Sequence, residues 1–159
     1  MLITIAAIGR LKAGEERVLF DRFFERAGTA GRKLGLTFTV REFPESRASS
    51  AETRKTEEAT TVIAALGQRG TFVTLDEHGK DLTSPAFANR IARWRDGGSS
   101  DVVFAIGGAD GHGAPLLEKA ELRLAFGEMT WPHQLVRVML AEQLYRAVTI
   151  LSGHPYHRD

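Results

Sequence analysis

The residues with the most chemistry to offer stand at the end of the chain, in His154-Pro155-Tyr156-His157-Arg158-Asp159. Two imidazoles, a phenol, a guanidinium and a carboxylate lie within a few positions. They can transfer protons, bind anions or ligate a metal. Chain ends usually fray, but this one follows a helix apolar nearly all round, which argues that it is held in place. Three readings stand side by side: a solvated polar tail, a metal set with His133, and a general acid/base or RNA-anchoring site. Metal ligands need converging nitrogens and supporting partners. Pro155 constrains the two histidines and no further His/Asp cluster exists, so no metal site is assigned.

Glu142 lies on the preceding helix. A buried carboxylate needs a partner, and Arg146 at i+4 or Arg137 is the nearest in sequence. A second candidate is Gly107-Gly108-Ala109-Asp110-Gly111-His112-Gly113. Glycines at this density let a backbone approach a ligand or turn sharply. The spacing matches neither GxxxxGK[ST] nor GxGxxG, and no Lys follows to meet a phosphate. An adenosine-type ligand held by backbone groups fits better than a triphosphate; a tight strand-to-helix turn explains the glycines equally well. Trp131 beside Pro132 reads as packing rather than as a base-stacking platform.

These residues need elements to position them. Leu2 to Ile8 reads as a buried strand. Ala13 to Leu34 reads as a helix with Leu19, Phe23 and Ala27 inward, closed by Gly35. Thr37 to Phe43 is a second strand. Ser49 to Glu52 has a capping-box pattern, and a helix with Thr56, Ala59, Ile63 and Leu66 on one face runs to Gly67. The charged stretch Arg47 to Glu58 reads alternatively as a mobile loop. Thr71 to Leu75 is a third strand with a turn at Asp76–Lys80. Ser84-Pro85 opens a helix with Phe87, Ile91 and Trp94 inward, ending at Gly97. Asp101 to Ile106 has the continuous apolar character of a central parallel strand. A short helix (Pro115–Glu121), a strand (Leu122–Phe126), a loop to Trp131 and the long helix to Leu151 complete the chain. That helix has Thr130 as N-cap and Pro132 near its first turn; Gly153 stops it. Its all-round apolar character implies a core on one side and a partner subunit on the other.

Strand and helix alternate, so the fold class is α/β, one domain over 1–159, with a mainly parallel sheet and helices on both faces. Ligands in such sheets sit at the C-terminal strand ends. The loops after Leu75, Ile106 and Phe126 leave such ends.

At 159 residues, 43% hydrophobic and 26% charged, the chain can bury a sizeable core. Without cysteine it has no disulfide, thiolate nucleophile or iron–sulfur cluster. The apolar start Met1–Ile5 is too short for a membrane span and lacks the form of a signal peptide, so the expectation is a cytoplasmic protein without a membrane partner. A net charge of +1 argues against sequence-blind nucleic-acid binding, though not against a shaped RNA site completed by a dimer.

Two segments carry a resemblance. Ala105-Ile106-Gly107-Gly108-Ala109-Asp110-Gly111 resembles the IGG-x-x-G loop of the RlmH family. Met129-Thr130-Trp131-Pro132-His133, Leu135-Val136-Arg137, Ala141 to Ala147 and the His154–Asp159 tail resemble that family's C-terminal signature. Chain length, the Thr74-Leu75-Asp76 strand end and the N-terminal strand agree. The departures are Ala109-Asp110 where the family usually has Pro-Glu, a less apolar Phe126-Gly127-Glu128, and Trp131 in place of a common Leu.

The resemblance implies a SPOUT-class, S-adenosyl-L-methionine-dependent, homodimeric methyltransferase with a C-terminal trefoil knot. Its substrate would be N3 of a pseudouridine in 23S rRNA of the ribosome. By position, Leu75, Gly107 and the run Phe126, Gly127, Glu128, Met129, Thr130 and Trp131 would hold the cofactor, with glycines at 107 and 108 leaving it room. His133, Glu142, Tyr156 and Arg158 match positions near the target pocket. On that reading His133 takes the N3 proton and Tyr156 positions the base. Arg158 stabilises charge on a uracil carbonyl or grips a phosphate, and one subunit's tail completes the other's pocket. A metal-dependent hydrolase using His133, His154, His157 and Asp159, and a non-catalytic ribosome-binding factor, are the alternatives.

Overall fold

The structure is a computed structural model of the chain and describes residues 1–67 and 70–157. The order is β1 (Leu2–Ile8), α1 (Glu15–Gly31), a 3-10 turn (Arg32–Leu34), β2 (Thr37–Phe43), α2 (Ala51–Leu66) and β3 (Thr71–Asp81). It continues α3 (Ser84–Asp96), β4 (Asp101–Ile106), α4 (Ala114–Lys119), β5 (Ala120–Ala125) and α5 (His133–Leu151). The five strands form one parallel sheet in the order β2-β1-β4-β3-β5. A parallel sheet must be covered on both faces. Here α1, α3 and α5 pack together on one face while α2 and α4 pack together on the other.

The strand sequences show why. In β4, Val102, Phe104 and Ile106 enter the core beneath α1, α3 and α5, and Val103 and Ala105 enter the one beneath α2 and α4. Alternation at period two sends apolar side chains both ways, which is what a continuous apolar run means in a strand. Phe104 sits edge-on to Phe87 (5.7 Å) and Trp94 (6.2 Å). Truncating such a side chain to Ala costs about 3–5 kcal/mol.

The expected elements are present, with corrections of detail. α1 turns Phe20 and Ala27 inward and leaves Leu19 exposed; the ring of Phe20 stacks on Phe24 at 5.4 Å. Ala27 and Phe23 keep their expected inward positions, and only Leu19 gives way, to Phe20 one residue on. The N-cap of α2 is Ser50, whose Oγ accepts from the Thr53 N–H at 3.0 Å, rather than Ser49. Thr56 is exposed, and Val62 takes a core position beside Ala59. The stretch 51–58 is helix, not loop. α5 begins two residues later than Thr130 as N-cap implies, at His133 behind Pro132, and Thr130 does not cap it.

One long-range anchor fixes α5. Arg137, 2% exposed, donates from Nη2 to the carbonyls of Ile8 (2.7 Å) and Gly9 (2.9 Å), and from Nη1 to Glu42 (2.9 Å). The first turns of α5 are thereby tied to the C-terminal end of β1. The deep side of α5 carries Leu140, Ala141, Leu144, Ala147 and Val148. Leu135 is exposed on the other side, and Met139, Glu142 and Arg146 are half-buried.

Candidate functional site

A cleft of about 690 Å³ opens at the C-terminal ends of β3, β4 and β5. Three segments build it, each shaped by a local break in the sheet.

The first is β3. Leu75 and Lys80 both register with Leu124 of β5, so Asp76–Gly79 loop out of the ladder. Gly79 is required there: a Cβ would lie 2.6 Å from the Arg123 carbonyl oxygen. Asp76 Oδ1 accepts the His78 N–H at 3.0 Å and stabilises the excursion. Leu75, Asp76, Glu77 and His78 line the cleft.

The second is the glycine loop, Gly107–Gly113. It closes through the Gly111 N–H to the Gly108 carbonyl (3.1 Å), with Gly111 at φ +82°. A Cβ on Gly107 would come within 2.8 Å of Gly111 backbone atoms, and one on Gly113 within 2.4 Å of the Lys55 carbonyl oxygen. A Cβ on Gly108 would meet Ile8 at 3.2 Å and Glu58 at 3.3 Å. The resemblance implies that glycines 107 and 108 leave room for a ligand. The structure gives another reason: these positions let the loop close on itself and lie against α2. Asp110 and Arg54 form a two-pronged ion pair (2.7 and 3.2 Å), and Arg54 also donates to the carbonyls of Ala48 and Ser49. The hydrogen bonds from Arg54 hold the Asp110 carboxyl below the ordinary carboxylate range.

His112 belongs to the glycine motif, yet the sequence alone assigns it no role. Its Nε2 lies 3.0 Å from the Leu75 carbonyl oxygen, linking β3's end to the glycine loop inside the cleft. A carbonyl can only accept, so Nε2 carries the proton and donates. Burial pushes the imidazole below its ordinary pKa against the opposing effects of that carbonyl and of Asp76. The ring is therefore neutral at pH 7. An imidazole directly after a strand-end glycine run is the signal available in the sequence.

The third segment is 126–132. Gly127, at φ +96°, donates its N–H to Asp81 Oδ1 (3.0 Å). Thr130 Oγ1 donates to Glu77 Oε2, and the Trp131 indole N–H donates to the Phe126 carbonyl (3.1 Å). The loop is thus fastened to the looped-out part of β3, and Trp131, exposed rather than packed as expected, closes its own loop through that hydrogen bond. Every cofactor-site residue expected from the sequence lines the cleft except Glu128; His133, the first residue of α5, lines it too.

The remaining expected residues lie elsewhere. Glu142 Oε1 accepts from Arg146 Nε (2.9 Å) and from the Tyr156 hydroxyl (3.0 Å). Arg146 is the partner of Glu142, and Arg137 is committed to Glu42. Tyr156 packs on Tyr145 at 4.6 Å with Arg146 over its ring at 4.9 Å. Burial, then Glu142, pushes the phenol above its ordinary pKa, so it stays a donor. Nine residues of helix separate Glu142 from His133, roughly 13 Å of rise, and neither Glu142 nor Tyr156 lines the cleft. Arg158 and Asp159 fall outside the described residues. His154 and His157 follow the C-terminus of α5, a helix's length from His133.

The SPOUT methyltransferase family model matches residues 1–157. The chain belongs to the SPOUT methyltransferase family. Two relatives named ribosomal RNA large subunit methyltransferase H agree. That of Bradyrhizobium diazoefficiens is 55% identical over 159 residues, covering 99% of each chain. That of Brucella anthropi is 54% identical over 160 residues, covering 100% of each. A solved probable methylase family protein of Haemophilus influenzae Rd KW20 shares the fold at a TM-score of 0.53 and 11% identity, over 99% of this chain and 70% of that one. SPOUT membership makes the chain a methyltransferase, and makes the strand-end cleft, with its parallel α/β frame, the place to seek its chemistry. Among the described residues no helix is long and apolar enough to cross a membrane.

Proposed function

We propose that the chain transfers methyl from S-adenosyl-L-methionine to N3 of a pseudouridine in 23S rRNA of the assembled ribosome, as a cytoplasmic homodimer. The observation that carries the reading is the convergence of Leu75, the glycine loop and Phe126–Trp131 on one cleft beside His133. The relatives' name supplies the class of substrate.

The cleft suits the cofactor. Its volume lies within the usual range for small-molecule sites. Leu75, Ile106, Leu117, Leu124, Phe126 and Val136 offer apolar walls for an adenine, and Asp76 and Glu77 stand where cationic charge can be balanced. The cofactor supplies a methyl group activated on a sulfonium. Leu75, Gly107 and the backbone of 126–131 would hold it, tethered by the Gly127–Asp81 and Thr130–Glu77 hydrogen bonds. His133 takes the N3 proton from the target base. Tyr156, its hydroxyl fixed on Glu142, positions the base. Arg158 stabilises negative charge on a uracil carbonyl oxygen or grips the neighbouring phosphate. Orientation does most of the work.

His133 lies in the cleft while Glu142 lies well along α5 and Tyr156 beyond its C-terminal end, which supports completion of each pocket by the partner's tail. The outer stripe of α5, with Leu135 exposed and Met139 half-buried, is the surface offered to that partner. Nucleoside analysis of rRNA from cells with and without the chain tests the substrate. An N3-methylated pseudouridine present only with the chain supports it, and an unchanged nucleoside profile contradicts it.

A further inference from the structure

With a net charge of only +1, contact with RNA needs cations that are locally uncompensated. The strand-end edge has such a group beside the cleft. Arg10 and Lys12, in the β1–α1 loop, and Arg47, in the β2–α2 loop, are exposed and have no ion-pair or hydrogen-bond partner among the described residues. The two loops are neighbours, because the Gly9 N–H to Phe43 carbonyl bond (2.8 Å) extends the β1–β2 ladder past the strands.

Neither loop is loose. Leu11, buried between Arg10 and Lys12, donates its N–H to Glu42 (2.7 Å), and its carbonyl accepts from Arg17 (3.3 Å). Ser46 N–H donates to the buried Glu58 (2.9 Å), Ala48 N–H to Ser46 Oγ (3.1 Å), and Arg54 holds the carbonyls of Ala48 and Ser49. Arg54 also holds Asp110, so one side chain joins the loop bearing Arg47 to the glycine loop of the cleft. An irregular segment with this many internal ties is a fixed platform rather than a linker.

The nearby acids are mostly engaged elsewhere. Glu42 pairs with Arg137 and Glu52 with Lys55, Glu57 and Glu58 accept from Ser46, and Asp110 pairs with Arg54; Glu45, exposed with its carboxylate beside Gly9, acts on Arg137 only through space and borders the patch next to Arg10. Glu15 and Glu16, at the start of α1, remain open and mark one border of the patch.

We propose that Arg10, Lys12 and Arg47 form a phosphate-binding rim that seats the sugar-phosphate backbone of the substrate RNA beside the cleft. The inference rests on rRNA being the substrate. Phosphate contacts fix register and orientation without reading sequence, which suits a fixed platform next to a base-specific pocket.

The test compares wild type, R47E, R47K and the double variant R10E/K12E in methyl transfer to ribosomes lacking the modification, across a salt series. R47E and R10E/K12E should raise KM for ribosomes about ten-fold and flatten the log–log salt slope by about one for each phosphate no longer neutralised. Cofactor Kd and kcat should stay at wild-type values, and R47K should behave as wild type. Unchanged KM and salt slope in both charge-reversal variants, with wild type active, would overturn the rim and leave the function standing. If wild type transfers no methyl, ribosome retention on filters decides. Salt-sensitive retention lost in R47E upholds the rim and faults the reaction; retention insensitive to salt overturns the rim as well.

Discussion

Arg137→Met is expected to destabilise the fold by roughly 3–5 kcal/mol, the range for breaking a buried ion pair from one side. The guanidinium makes three hydrogen bonds, to Glu42, Ile8 and Gly9, at 2.7–2.9 Å. Bonds involving a charged group contribute about 1.5–3 kcal/mol each, so the gross sum is roughly 4–9 kcal/mol. Two effects lower it. Burial already pushes the guanidinium below its ordinary pKa, a sign that desolvation offsets part of the gain. The Glu42 side chain, 26% exposed, also recovers water when Arg137 leaves. Urea unfolding of R137M, E42Q and the double variant measures the loss, and the cycle should show a coupling of about 0.5–3 kcal/mol. Since His133 and Val136 precede Arg137 on the same helix and line the cleft, cofactor affinity should fall in R137M as well. A stability loss under about 1 kcal/mol, or strict additivity in the cycle, would refute the anchor.

The cleft gives two further expectations and the C-terminal segment a third. Gly107→Ala should weaken S-adenosylmethionine binding at least ten-fold by calorimetry, since its Cβ would meet Gly111 backbone at 2.8 Å, while Gly108→Ala should be milder because its contacts are side chains at 3.2 Å or more. His112 has a folded pKa below its unfolded one, so the unfolded chain binds the extra proton first. Its contribution is present above the ordinary imidazole pKa and is lost as pH falls through the lower folded value. Thermal unfolding of wild type should therefore lose more stability than H112N between about pH 7 and 5; parallel curves would contradict this. Tyr156→Phe removes only the hydroxyl bond to Glu142, about 1 kcal/mol, and should cut methyl transfer at least ten-fold with cofactor Kd unchanged; full activity would remove Tyr156 from base positioning.

The frame is legible where sequence expresses local physics. The β1 and β4 runs can only be strands buried on both faces, and Gly35 and Gly153 stop their helical segments at φ +69° and +67°. Phe20 rather than Leu19 faces inward, and Ser50 rather than Ser49 caps α2, because adjacent candidates satisfy the same pattern and packing chooses between them. Arg137 reaching Ile8, 129 positions away, has no local signature. The turn at Asp76–Lys80 is legible in the sequence, but not the return of Lys80 and Asp81 to the ladder beyond it, because their partner is a strand that comes later in the chain. His112 is visible as a residue but acquires a role only when Leu75 is brought to it. The glycine loop stands out for its spacing, yet its glycines serve loop closure and contact with α2 more directly than ligand room.

The most direct measurement is transfer of labelled methyl from S-adenosylmethionine to whole ribosomes lacking the modification, set beside their free large-subunit RNA. Label on the ribosomes, in a pseudouridine, and none on the free RNA is the predicted result. Label on neither, with the cofactor still bound in the cleft, would contradict the proposed substrate while leaving the SPOUT fold in place.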